Sequence, residues 1–87
     1  MDITDKSRIH LACYRGMREL DLLLIPFFQH EFDSLSMHEK NLFVYLLERD
    51  DPELCHWLIS SKTPEDANIK KIVDRIQNSN KKRMSQK

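Results

Sequence analysis

The 87-residue sequence contains a single glycine, and this scarcity narrows the folds and functions open to it. Tight β-hairpin turns and phosphate-binding loops both need glycine at defined positions. A β-rich fold and a loop that cradles a nucleotide are therefore not expected. Hydrophobic residues make up 40% of the chain and charged residues 32%, which is typical of a folded globular protein. The length indicates one domain.

The sequence also lacks a long apolar run and a secretion signal. Its longest apolar stretch, residues 22–28, is interrupted by Pro26 and falls short of the roughly 18 consecutive apolar residues that cross a membrane. Residues 1–5 do not have the basic and then apolar layout of a signal peptide. We therefore expect a cytoplasmic protein without direct membrane insertion. In that reducing compartment Cys13 and Cys55 are expected to be free thiols.

The charges sum to zero but are unevenly distributed along the chain. Residues 81–87 have no acidic side chain and four basic ones, on Lys81, Lys82, Arg83 and Lys87. Residues 1–80 then carry ten basic and fourteen acidic side chains. An acidic body is unsuited to neutralising phosphates, so no nucleic acid is expected as a partner. We predict a folded domain over residues 1–80 and a basic, disordered C-terminal tail over residues 81–87.

Apolar residues recur at helical spacing in five segments, which begin near residues 5, 17, 36, 51 and 63. The first spans residues 5–14 and is followed by Gly16, which suits the left-handed backbone found after helices. The second spans residues 17–32 and is apolar on two faces, which predicts a buried central helix. Pro26 predicts a kink in it.

Helix-capping residues mark the starts of the last three segments. Ser36 and Glu39 fit a capping box. Asp51-Pro52 and Thr63-Pro64 each place a capping residue before a proline, which suits the first helical position. The fifth segment has the clearest apolar stripe, formed by Ile69, Ile72, Val73 and Ile76. Five helices with short connections predict an all-α fold, a compact five-helix bundle in a single small domain.

Candidate catalytic and metal-binding residues are few and poorly spaced. His10 and Cys13 share a helix face, and Cys55 and His56 lie much later in the chain. There is no CxxC pair, and adjacent helical residues point about 100° apart. Core cysteines and surface histidines explain these four residues better than a zinc site. No serine or cysteine lies in a recognisable nucleophile motif. We expect no metal, no bound cofactor and no enzymatic activity.

The segment Arg15-Gly16-Met17-Arg18-Glu19 has two interpretations. It is either a helix–helix corner with a glycine stop and ordinary surface charges, or a docking corner for another protein. Arginine and methionine are both favoured at interfaces, arginine for its planar fork of donors and methionine for its adaptable shape. The residues by themselves leave both interpretations open.

The same segment, continued through Leu20 and Asp21, matches the RGxxELD signature of the SdhE family, also called succinate dehydrogenase assembly factor 2. The chain resembles the bacterial members in register over residues 1–80, and the basic tail lies outside the resemblance. The further matches are Pro26-Phe27-Phe28, Asp33-Ser34-Leu35-Ser36, Leu46-Leu47-Glu48, Asp50-Asp51-Pro52-Glu53-Leu54 and Trp57-Leu58. RGxxE alone is a weak signal, but together with DDPxLxxWL at this distance it is a strong one.

The resemblance implies a five-helix fold and the role of an assembly factor. It implies binding to the flavoprotein subunit of succinate dehydrogenase, and in bacteria also of fumarate reductase, and promotion of covalent FAD attachment to a histidine of that subunit. The factor itself would need no FAD site and would bind transiently, as a monomer. The residues that it implies for partner binding are Arg15, Gly16, Glu19, Arg8, Met17 and Arg18. The alternative is an antitoxin-like regulatory protein that binds a small membrane-associated toxin.

Overall fold

The computed structural model describes residues 2–60 and 62–85. Within them the chain forms five α-helices, one turn of 3₁₀ helix and no strand. The elements are α1 (Lys6–Ala12), α2 (Arg18–Glu31), the 3₁₀ turn (Phe32–Ser34), α3 (Met37–Leu47), α4 (Asp51–Leu58) and α5 (Ala67–Ser85). The Cα radius of gyration is 12.0 Å, and a compact chain of this length is expected to have about 12 Å. The predicted all-α, five-helix bundle is confirmed.

The core lies where α5 packs against α2 and α3. From α2 it receives Leu20, Leu24 and Phe27, which recur at helical spacing and are fully buried. Phe43 of α3 contacts Phe27 and Phe32, with ring centroids 5.3 and 5.9 Å apart. The predicted stripe of α5 is buried in the same core, at Ile69, Ile72, Val73 and Ile76. The helices α1 to α4 have 7 to 14 residues and are marginal alone, so the removal of these side chains from water holds the bundle together.

One side of α2 is not covered by the bundle. Leu22 is 59% exposed, and Ile25 and Pro26 are half-buried. The prediction of a central helix buried on both faces is therefore wrong, because no other described helix covers the side of α2 that carries Leu22. Pro26 has no N–H, so the Leu22 carbonyl lacks its usual helical donor on this uncovered side. The kink at Pro26 stays a prediction.

Two helix starts follow the capping chemistry of the sequence. The capping box of α3 is confirmed: Ser36 Oγ accepts the Glu39 N–H, and Glu39 Oε1 accepts the Ser36 N–H, both at 3.1 Å. The cap of α4 is Asp50, whose Oδ1 accepts the Glu53 N–H at 3.2 Å. The predicted cap, Asp51, is instead the first helical residue. Its carboxylate contacts an arginine from another part of the chain.

The start of α5 differs from the prediction. The helix begins at Ala67, so the start predicted at residues 63–64 is wrong. Asp66 occupies the capping position, because its Oδ1 accepts the Asn68 N–H at 2.8 Å and its carbonyl accepts the Lys70 N–H at 2.9 Å. The local sequence offers two capping residues three positions apart, and the second one is used.

The far end of α5 extends into the segment predicted as a tail. The helix continues through residues 81–85, while Gln86 and Lys87 lie outside the described residues. The division into a domain over residues 1–80 and a disordered tail over residues 81–87 stays a prediction.

An ion pair joins the start of α3 to α5. Glu39 Oε2 accepts from Arg75 Nη1 at 2.8 Å, while Oε1 accepts the Ser36 N–H of the capping box. The hydrogen bond from Ser36 is the main reason that the pKa of Glu39 lies below its ordinary value of 4.5, and the charge of Arg75 adds to it. The folded state therefore favours the ionised carboxylate.

We predict that Glu39→Gln lowers the melting temperature at pH 7, where the ionised carboxylate stabilises the fold. Glutamine retains the shape and the capping bond but loses the charge. Because the folded pKa is lowered, the contribution of Glu39 is fully present above pH 4.5 and is lost as the pH falls through the folded pKa. Thermal melts from pH 7 to pH 3 should therefore show the difference closing at the acidic end. Glu65→Gln, at an exposed position, is the control, and a difference unaffected by pH would contradict the assignment.

The two thiols lie in different environments. Cys13 is fully buried, and its Sγ–H donates to the Ile9 carbonyl at 3.3 Å. Burial raises the pKa of the Cys13 thiol to about 12, although the nearby charge of Arg15 opposes the shift. Cys55 is half-buried, with its sulfur 3.8 Å from that of Met17. Cys13 is thus a core residue with little thiolate at neutral pH.

We predict that Cys13 resists thiol reagents while the protein is folded. In a Cys55→Ala variant, a disulfide reagent at pH 8 should react with Cys13 about a thousandfold or more slowly than with a free cysteine, because the thiolate is the reactive form. The same variant in guanidinium chloride is the control and should react at the ordinary rate. Rapid labelling of the folded variant would show that Cys13 is accessible and would contradict its place in the core.

Candidate functional site at the corner between α1 and α2

The corner between α1 and α2 contains the motif. Residues 13–17 connect the two helices. Gly16 has a φ of +77°, which confirms the predicted left-handed backbone, a conformation that side chains with a Cβ rarely adopt. A Cβ built on Gly16 would have no neighbour within 4 Å among the described residues. The backbone is therefore open to an approaching surface.

The Arg15 side chain points into the protein. It is 16% exposed, and its Nε donates to Asp51 Oδ1 at 2.8 Å. Its Nη1 donates to the carbonyls of Ala12 and Leu47, at 3.1 and 2.8 Å, and its Nη2 donates to the Arg49 carbonyl at 2.7 Å. One planar guanidinium thereby joins the ends of α1 and α3 to the first turn of α4.

The main chain of the corner is fixed by further contacts. The Arg15 N–H donates to Asp21 Oδ1 at 2.8 Å, which ties the corner to the first turn of α2. Met17 has an extended backbone and packs its side chain against the core. The interpretation of Arg15 as an ordinary surface charge is therefore wrong, because its side chain is 16% exposed and three of its partners, Leu47, Arg49 and Asp51, lie more than thirty residues away in sequence.

The residues predicted for partner binding divide into two groups. Gly16, Arg18 and Glu19 are exposed at the corner, where a partner would reach them. Arg15 and Met17 are directed inward and support the corner from behind. The motif thus combines a presented surface with the contacts that hold it.

The exposed side of α1 carries the remaining predicted residue. Arg8 is exposed, and its Nε lies 3.5 Å from Asp5 Oδ2. Leu11 shares its helix face, three residues later, and is 70% exposed. Tyr14, just after α1, is 53% exposed. Arg8 therefore borders an apolar surface that leads toward the corner.

Apolar surface also flanks the corner on the side of α2. A shallow depression of about 490 Å³ lies there, lined by Gly16, Arg18, Asp21, Leu22, Ile25 and Pro26. Of the six large apolar side chains exposed in the described part of the chain, three lie on these two helices or in their connection: Leu11, Tyr14 and Leu22. Exposed apolar surface rimmed by charge is typical of a protein-binding site. The two apolar faces of α2 predict burial of Leu22, so periodicity does not reveal this surface.

The residues that suggested a metal site do not come together. Cys13 donates to a backbone carbonyl, and the ring of His10 stacks on Phe28 with centroids 5.1 Å apart. His10 is therefore a packing residue and not the surface histidine that was predicted. Across residues 2–60 and 62–85, no three His, Cys, Asp or Glu side chains are grouped to hold a metal ion. In the same residues, no helix combines the length and apolarity needed to span a bilayer.

Comparison with known proteins gives a consistent result over nearly the whole chain. The profile of a family described as Sdh5, "Flavinator of succinate dehydrogenase", matches residues 7–80. A protein of Pectobacterium atrosepticum named "FAD assembly factor SdhE" is 49% identical over 83 residues, which cover 95% of this chain and 94% of the relative. Proteins of the same name from Yersinia pseudotuberculosis and Photorhabdus laumondii are both 52% identical with the same coverage.

We predict that Arg15→Ala destabilises the fold, whereas Arg18→Ala does not. Loss of the Arg15 guanidinium leaves three part-buried carbonyls and the Asp51 carboxylate without their donor, which should cost about 2–3 kcal/mol. Arg18 is exposed, so the matched substitution there should change the free energy of unfolding by no more than about 0.5 kcal/mol. Urea unfolding of both variants tests this. Equal stabilities would show that the Arg15 contacts are dispensable.

Proposed function

Since the chain belongs to the family of succinate dehydrogenase flavinators, we propose that it is a non-catalytic assembly factor that binds the flavoprotein subunit of succinate dehydrogenase. In binding, it promotes covalent attachment of FAD to that subunit. The flavoprotein of fumarate reductase is proposed as a second client. We propose that the factor acts in the cytoplasm, as a monomer.

The observation that carries this proposal is the corner surface: Gly16, Arg18, Glu19 and the exposed apolar side chains beside them. An open backbone, two charges and adjacent apolar surface are features of a protein-binding site. They supply no nucleophile, acid or base arranged around a substrate. The chemistry of flavin attachment is therefore proposed to belong to the client.

A protein without reactive groups can still accelerate this reaction. The histidine nitrogen of the client must be held against the flavin methyl carbon, and orientation of two reacting groups is worth up to about 7–11 kcal/mol of barrier. A factor that binds the competent conformation of the client more tightly than other conformations raises its population. Once the flavin is attached, the factor has to leave, so transient binding is expected.

We predict that Gly16→Arg abolishes client binding while the bundle remains folded. Gly16→Ala is the matched control, because both substitutions impose the strain of a Cβ at positive φ, about 1–2 kcal/mol. Only arginine adds bulk in the open space. Melting temperatures should therefore fall similarly, while in-gel flavin fluorescence of the client is lost with Gly16→Arg alone. A folded Gly16→Arg variant that supports full flavinylation would falsify the docking assignment.

Glu19 provides a test without backbone strain. Glu19→Ala should change stability by no more than about 0.5 kcal/mol but weaken client binding by about 2 kcal/mol or more, as at an interface hot spot. Calorimetric titration with the flavin-free flavoprotein subunit measures the affinity. Glu65→Ala, which changes an exposed acid in the connection between α4 and α5, should bind like the parent. If Glu19→Ala binds the client as tightly as Glu65→Ala does, Glu19 is not a contact residue.

The apolar part of the surface is tested with two side chains of equal exposure. Leu11 and Met37 are each 70% exposed, but only Leu11 lies beside the corner. Leu11→Gln should weaken client binding, because an apolar contact is replaced by a polar group, whereas Met37→Gln should not. Both variants should melt like the parent. Equal client affinities would exclude the α1 side from the interface.

A further inference from the structure

We propose that Asp51 is a positioning residue for partner binding, which acts through Arg15 and touches no partner itself. The proposal rests on the proposed function of the corner. It assigns a role to a residue in a different helix from the exposed motif.

Asp50 and Asp51 are neighbours with different partners. Asp50 caps its own helix by accepting the Glu53 N–H at 3.2 Å. Asp51 accepts from Arg15 Nε at 2.8 Å, thirty-six residues away in sequence. One carboxylate therefore serves α4 locally, and the other joins α4 to the corner.

The other partners of the Arg15 side chain are backbone carbonyls. Ala12 and Leu47 are the last residues of α1 and α3, and their carbonyls have no intrahelical donor. Carbonyls carry only partial negative charge, so the Asp51 carboxylate is the partner that balances the guanidinium charge. Its direction from Nε also sets the plane of the guanidinium, on which the bonds to the carbonyls depend.

The orientation of Arg15 determines how the exposed residues are presented. Gly16 follows it directly, and the Arg15 N–H holds Asp21 in the first turn of α2. Without the carboxylate, the guanidinium can leave the three carbonyls, and the left-handed backbone at Gly16 is no longer fixed at one end. Arg18 and Glu19 would then be presented in several orientations, of which one fits the client. The apparent dissociation constant is the intrinsic one divided by the fraction of molecules in the competent orientation, so it rises as that fraction falls.

The experiment compares Asp51→Ala with Asp50→Ala in the full chain, at a temperature well below both melting transitions. The probe is the flavin-free flavoprotein subunit of succinate dehydrogenase, titrated calorimetrically. Asp51→Ala should raise the dissociation constant about tenfold, the factor expected if a tenth of the molecules keep the competent corner. Asp50→Ala should lower the melting temperature through loss of the cap but bind like the parent.

NMR provides a measurement that a general loss of stability does not change. In Asp51→Ala the Arg15 Nε–H signal and the Gly16 and Met17 amide signals should shift, while Asp50→Ala should shift signals at the start of α4 and leave the Gly16 and Met17 amide signals unmoved. Unchanged affinity in Asp51→Ala overturns the proposal, as does weakened binding with the Gly16 and Met17 signals unmoved. Equal weakening in both variants also overturns it, since destabilisation would then suffice.

Failure of this inference is distinguishable from failure of the proposed function. If Gly16→Arg blocks binding while Asp51→Ala binds like the parent, the corner is the docking site and Asp51 has no part in it. If the folded Gly16→Arg variant binds like the parent, the docking site itself is wrong, and the inference fails with it.

Discussion

The guanidinium of Arg15 lies where the ends of three helices meet, and the corner exists in its present shape because of that contact. Taking a charged group out of water is costly unless hydrogen bonds and an opposite charge replace the lost hydration. Here the replacements are the final carbonyls of α1 and α3, a loop carbonyl and the Asp51 carboxylate. Helix C-termini carry unpaired carbonyls and partial negative charge. The Arg15 side chain therefore supplies hydrogen-bond donors to the helix ends, and the carbonyls there supply acceptors to the guanidinium.

The direction of each side chain in the motif follows from the backbone at this corner. Met17 has φ and ψ of −116° and 118°, an extended conformation in which successive side chains point to opposite sides. The left-handed Gly16 interrupts that alternation, and the Arg15 and Met17 side chains on either side of it are both directed inward, with the Gly16 backbone exposed between them. The helix then starts with Arg18 and Glu19 outside and Leu20 in the core. The seven residues of the RGxxELD signature thus carry both the exposed surface and the contacts that support it.

Local features of the fold could be predicted from the sequence because their causes are local. The stripe of α5 and the Ser36 capping box depend on residues within a few positions of one another. The start of α5 differs from the prediction because Thr63 and Asp66 are both local capping residues, and the sequence does not choose between them. Exposure of Leu22 and the inward turn of Arg15 depend on which helices meet in space, with partners such as Asp51 thirty-six positions away. For the proposed site, the motif marked the corner between α1 and α2, but periodicity could not tell its exposed residues from those that hold the corner.

That distinction decides how loss of function at each motif position is interpreted. Marginal stability of about 0.05–0.15 kcal/mol per residue leaves a chain of this size only several kcal/mol in total. Loss of the Arg15 network removes a large share of it, so a defective Arg15 variant has two explanations, a missing contact and a missing fold. A defective variant at exposed Glu19 has only the first explanation. A defective variant at Gly16 has the second only as far as backbone strain destabilises the fold. Substitutions of the outward residues therefore test the proposed contact with a partner. Substitutions of the inward residues test the stability of the corner that holds the outward ones in place.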